Sequence, residues 1–102
     1  MLTIKAGASF KKDYKRLKKR HYNLNTLAAV IDLLATGNPL PEKYKDHILI
    51  GDYAGCHECH IAPDWLLVYE MKEAELLLYL TRTGTHSDIF SECFFAPRYL
   101  SS

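Results

Sequence analysis

Two periodicities divide the chain. In its first third, apolar residues recur at helical spacing. Phe10, Tyr14 and Leu17 stand at i, i+4 and i+7, so residues 9–21 read as an amphipathic helix with Ser9 as its N-cap. Leu27, Val30, Ile31 and Leu34 repeat the pattern and predict a second helix over about 25–36, capped by Asn23 or Asn25 and ended by Gly37 and Pro39. After the loop NPLPEKYKD the period shortens. Residues 47–50, 55–61, 64–71 and 75–82 are strand-like, separated by Gly51-Asp52, Ala62-Pro63 and Lys72-Glu73. The runs 65–69 and 76–80 are nearly continuously apolar, as central strands covered on both faces require. Residues 2–6 predict a short edge strand, Gly84 breaks the last long strand, and 87–91 has room for one helical turn. Short connections force successive strands antiparallel. The expected fold is α+β: an antiparallel sheet of four to five strands with an N-terminal helical hairpin packed against it.

Composition agrees with a single globular domain. The 102 residues are 48% apolar and 25% charged, with five Gly and four Pro, which argues against a disordered chain. No apolar run is long enough to span a bilayer, and the N-terminus lacks the apolar stretch of a signal peptide. The expected compartment is therefore the cytoplasm, where the three cysteines would be free thiols. Charge is unevenly placed. The first 21 residues hold eight of the thirteen bases against one acid, Asp13, while the remainder holds five bases and eleven acids. Lys11, Lys12, Lys15, Arg16, Lys18 and Lys19 lie mostly off the apolar stripe of the first helix. They form either a solvated face or a surface that finds polyanions such as RNA. An acidic protein partner fits the charge equally well.

Cys56-His57-Glu58-Cys59-His60 matches the c-type haem motif C-x-x-C-H, but that attachment belongs to exported proteins. A zinc site lacks a second pair of ligands at customary spacing. As a strand, the segment places Cys56, Glu58 and His60 on one face and His57 with Cys59 on the other. No cofactor and no metal are expected. The polar residues that call for explanation are His47, His60, Asp64, Arg82 and His86, each at or just beyond a strand end. Gathered at one sheet edge, they are the parts for metal-free RNA cleavage. Imidazoles and a carboxylate exchange protons near neutrality, and an Arg clamps phosphate and meets the developing charge. Trp65 and Phe90 would stack on unpaired bases, although Trp65 reads equally well as a core residue.

The ordered pieces Asp46-His47-x-Leu49-x-Gly51, Glu58-Cys59-His60-Ile61-x-Pro63-Asp64-Trp65-Leu66-Leu67-x-Tyr69 and Arg82-Thr83-Gly84-Thr85-His86-Ser87-x-x-Phe90 resemble the YafQ branch of the RelE/ParE toxin superfamily. The similarity covers residues 1–90 as one toxin domain and leaves 91–102 as a C-terminal extension. The resemblance implies a toxin of a bacterial toxin–antitoxin pair that enters the ribosomal A site and cuts messenger RNA without metal. Its implied partners are a cognate antitoxin, the ribosome and mRNA, with no membrane. The toxin would be monomeric alone and hetero-oligomeric with its antitoxin. It also implies that His47, His60, Asp64 and His86 are the acid–base groups, Arg82 the phosphate clamp, Trp65 and Phe90 substrate-positioning residues, and the basic helix a dock on ribosomal RNA. Two features depart from the family. His57 stands where an Arg is common, and the tail SECFFAPRYLSS extends beyond the usual end, its Phe94, Phe95, Tyr99 and Leu100 placed to shield the site. The alternatives are a ParE-like toxin that binds a protein target such as DNA gyrase, which needs no histidine cluster, and a regulator acting by protein binding.

Overall fold

A computed structural model describes residues 1–90. Strand β1 (Thr3–Ala6) leads into helices α1 (Ala8–Lys19) and α2 (Leu24–Ala35). Strands β2 (His47–Ile48), β3 (His57–Ala62), β4 (Trp65–Lys72) and β5 (Leu77–Gly84) follow, then a one-turn helix α3 (His86–Phe90). The five strands form one sheet in the order β1-β5-β4-β3-β2. The pairs β2–β3, β3–β4 and β4–β5 are antiparallel as expected, and β1 joins β5 in parallel because the helical hairpin carries the chain away after it. The 91–102 extension lies outside the described residues.

Local chemistry sets the helix ends. α1 starts from Gly7 rather than Ser9: the Gly7 N–H donates to the Leu80 carbonyl, closing the β1–β5 pairing, while its carbonyl accepts from Lys11. Gly7 lies so close under the Tyr79 ring that a Cβ would collide with it. At the other end His21 takes φ 63, and the N–H groups of His21 and Tyr22 donate to the carbonyls of Lys18 and Leu17. That is a Schellman motif with His in the position usually held by Gly. The Asn23 side chain accepts from Asn25 N–H and caps α2, one of the two caps expected. β5 begins two residues later than the strand expected over 75–82, because Glu73–Glu75 makes a 3₁₀ turn that Leu76 ends at φ 53.

Each face of the sheet has its own core. Against the helices, Cys59, Trp65, Leu67, Tyr69, Leu78 and Leu80 pack on Phe10, Leu17, Leu27, Val30 and Leu34. On the opposite face Leu66 and Val68 pack with Leu49, Ile89 and Phe90. All five residues 65–69 are buried, so β4 is covered on both sides as its sequence predicts. The run 76–80 instead alternates, with Leu78 and Leu80 buried and Leu76 61% exposed. Among the described residues no helix is long and apolar enough to cross a membrane.

A one-residue bulge in β5 decides what the second face carries. The ladder pairs Tyr69 with Leu80 but Val68 with Arg82, leaving Thr81 as the extra residue. Without it, Arg82 would share the helix-facing side with Leu78 and Leu80. With it, Thr83 turns toward the helices and Arg82 joins Val68 on the opposite face.

Candidate active site

Cross-strand neighbours point to the same side of a sheet, so register assembles the face away from the long helices. His47 pairs with Glu58, Glu58 with Val68 and Val68 with Arg82, forming one row, while His60 pairs with Leu66 in the next. Beyond Gly84 the chain turns into α3 and brings His86 back over His60. The result is a continuous chain of ionisable groups. His47 Nε2 lies 3.1 Å and His60 Nε2 3.5 Å from Glu58 Oε1. The His60 ring centre is 6.0 Å from that of His47 and 5.9 Å from that of His86. His86 Nδ1 lies 2.6 Å from Asp64 Oδ1, which also accepts the His86 backbone N–H at 3.0 Å. Thus His47, His60, Asp64 and His86, expected from sequence to converge, are neighbours.

The environment gives each group a different proton preference. Asp64 is largely exposed, and the hydrogen bonds from the ring and then the backbone of His86 hold its carboxyl below the usual range. An ionised Asp64 can only accept, so Nδ1 of His86 carries the donated proton. His47 Nδ1 approaches the Lys45 carbonyl at 2.8 Å, which likewise places its proton on Nδ1. Lys45 can aim that carbonyl because it adopts φ 50, ending the turn Glu42–Tyr44. Burial, followed by the charges of His86, His47 and Lys45, lowers the pKa of His60 and favours its neutral form. Glu58 is fully buried, and neither carboxyl oxygen has a hydrogen-bond partner among the described residues. Burial therefore raises its pKa against the pull of His47 and His86.

Arg82 lies in the same row, but its planar fork grips protein. Nε and Nη2 bind the two carboxylate oxygens of Asp13 at 2.6 and 3.2 Å, Nη2 also donates to the Asp88 carbonyl, and Nη1 donates to the Tyr53 hydroxyl. Asp13 is 2% exposed, so its charge must be matched inside the fold, and its Oδ2 also accepts the Thr83 N–H. The expected bidentate phosphate clamp is therefore corrected. Four of the five guanidinium N–H groups are engaged, and among the described residues one on Nη1 remains for an anion.

A family model for the bacterial toxin YafQ of type II toxin–antitoxin systems matches residues 2–91. The chain belongs to the YafQ family. The mRNA interferase toxin YafQ of Escherichia coli K12 is 40% identical over 88 residues, which are 85% of this chain and 94% of that protein. A metal-bound toxin from Helicobacter pylori superposes with TM-score 0.82 at 48% identity, covering 88% of this chain and all of the other. YafQ in the E. coli DinJ–YafQ complex superposes with TM-score 0.79 at 38% identity, over 88% of this chain and 99% of its own.

Two expected base-stacking residues of this YafQ-family site are core residues instead. Trp65 is 6% exposed, meets Tyr22 edge-on at 5.0 Å, and donates its indole N–H to Thr83 Oγ1. Phe90 is 5% exposed and meets Tyr53 edge-on at 5.7 Å. Neither ring presents a face to a nucleotide, because burial of a large aromatic surface outweighs leaving it open for a ligand. The basic residues Lys11, Lys12, Lys15, Arg16, Lys18 and Lys19 are all exposed on α1. Arg16 and Arg20 reach Asp88 on α3 at 3.5 and 2.8 Å, so the basic helix borders the site. Burial works against ionisation of Asp88, but the bonds from Arg20 and Thr85 outweigh it and lower its pKa to about 2.

The YafQ-family residues that sequence reasoning missed are Glu58, Asp13 and Tyr53. His47, Glu58 and His60 each offer a ligand atom, all within 4.8 Å of one another, so this trio can hold a metal ion. Any cation there would occupy the nitrogens on which proton transfer depends. His57, at the departure from the family pattern, stacks on Tyr69 at 5.3 Å and lies 3.5 Å from Asp46, which accepts the Tyr69 hydroxyl.

Proposed function

We propose that this YafQ-family chain is an mRNA interferase that works in the bacterial cytoplasm. It cuts message in the ribosomal A site by metal-free acid–base chemistry and is neutralised by a cognate antitoxin. The observation that carries this reading is the unbroken row His47–Glu58–His60–His86–Asp64 on the sheet face away from the long helices, bordered by the basic helix α1. In the reaction the ribose 2′-OH attacks the adjacent phosphate, a base takes its proton, and an acid protonates the departing 5′-oxygen. His60 is suited to the base role because burial and cationic neighbours keep it neutral. His86 is suited to the acid role because the Asp64 carboxylate fixes its ring beside His60. The two rings meet edge to face with their centres 5.9 Å apart, so one phosphate can be reached by both. Glu58 accepts a proton readily and links His47 to His60, while His47 and the remaining N–H of Arg82 serve the negative charge that grows on the phosphoryl oxygens. The α1 cations supply salt-dependent attraction to ribosomal RNA.

Primer extension on mRNA from cells expressing the protein tests the reading. Discrete, in-frame cuts that vanish on antitoxin co-expression are expected. A toxic protein that leaves messages intact would favour the ParE-like binding alternative.

The lowered pKa of His60 also predicts the acid side of the pH profile. A base must be neutral, so cutting should persist as pH falls past the ordinary imidazole value of about 6.5 and decline only below it. Stability follows the same sign. The unfolded chain takes up the His60 proton more readily, so this contribution is present above the ordinary value and is lost as pH falls through the depressed one. Single-turnover rates between pH 5 and 8 would contradict the assignment if the acid limb lay above that ordinary value.

A further inference from the structure

Beside the proton-transfer row lies a cavity of about 560 Å³ that the chemistry described so far does not use. Its volume falls within the range of small-ligand sites. His60 belongs to both, so whatever fills the cavity adjoins the phosphate being cut. The walls differ in character. On one side Lys43 and Lys45 project from the loop before β2, both exposed, and Lys43 Nζ stands 5.1 Å above the Tyr44 ring, held there by its π face. Ile61, Ala62 and Pro63, where β3 runs into the turn before β4, add apolar lining. The hydroxyl-bearing Thr26, exposed on the first turn of α2, also lines it.

An anionic group, a flat apolar ring and a polar ring edge are the three parts of one nucleotide, and each meets a matching wall. We propose that this cavity seats the message nucleotide next to the scissile phosphate and sets which base is accepted there. Lys43 and Lys45 hold its phosphate, the Ala62-Pro63 turn supports the base, and Thr26 reads the base edge. The Lys45 carbonyl also orients His47, so a filled cavity and an aligned row are mechanically joined. The inference rests on the mRNA interferase reading and assigns that site its specificity.

The test uses the full chain on ribosome-bound messages in which the nucleotides flanking one cut are varied through all four bases. Wild type is compared with Lys43→Gln and Thr26→Val, both at exposed positions away from the proton-transfer row, with thermal melting as the check on folding. Lys43→Gln should raise KM roughly tenfold, the value of one charge-assisted contact, and leave kcat within about twofold. Thr26→Val should reorder the four bases at one flanking position. If wild type cuts but both variants keep its KM and base ranking, the cavity is not a nucleotide subsite. A higher KM with no change of ranking in either variant would overturn the message assignment in favour of a ribosomal RNA contact. If wild type cuts no message, the interferase reading fails and takes this inference with it.

Discussion

Replacing His86 with Gln is expected to slow cleavage of ribosome-bound message by roughly a hundred-fold to ten-thousand-fold, the usual worth of one general acid or base. The melting temperature should barely move. His86 stands at the rim, about one-third exposed, and its structural role is to donate from ring and backbone to Asp64. A Gln amide can still donate to that carboxylate but has no proton that titrates near neutrality. Asp64→Asn makes a finer companion. It exchanges the carboxylate that holds the ring for a neutral amide, so the rate should fall while the melting temperature holds. Near-wild-type cutting by a folded His86→Gln protein, read by single-turnover kinetics, would remove His86 from the chemistry.

The second large effect lies in the fold. Asp13→Asn should destabilise the domain by about 3 kcal/mol, the cost of breaking a buried ion pair and leaving one partner unmatched. The Arg82 side chain is only 17% exposed, and the carboxylate of Asp13 neutralises it while also accepting the Thr83 N–H. Hydrogen bonding to Asp13 raises the Arg82 pKa further, against the opposing effect of burial, so the guanidinium cannot escape the penalty by losing its proton. Arg82→Met should cost a similar amount by stranding Asp13. The double variant Asp13→Leu with Arg82→Met should recover much of that stability without recovering cleavage. Urea unfolding curves provide the measurement. Additive losses in the double variant would mean that the two residues act independently.

Much of this architecture was legible in the chain. Helical spacing located both long helices, and the uninterrupted run at 65–69 marked the strand covered on both sides. The strand-end histidines were found because polar residues at the ends of apolar segments have no packing reason to be there. Glu58 was within reach: it lies two residues before His60 and so on the same strand face. Asp13 was too, since it occupies the stripe defined by Phe10 and Leu17, where an acid stays only with a buried partner. The bulge was not legible. Leu78, Leu80 and Arg82 are in phase, and no Gly or Pro marks Thr81 as an inserted residue. The places of Trp65 and Phe90 were equally open, because an aromatic ring reads the same whether it awaits a base or fills a core.

That extra residue in β5 sets the phase of everything after it. Drawn into an unbroken ladder, Thr81 would take the place opposite Val68 that Arg82 now holds. A guanidinium would then be driven into the seam beneath the helices, and the Thr83 hydroxyl would swing to the other side. Every position from there to Gly84 would be inverted. A chain in that register would be a different object, with its reactive groups dispersed, rather than a slower enzyme.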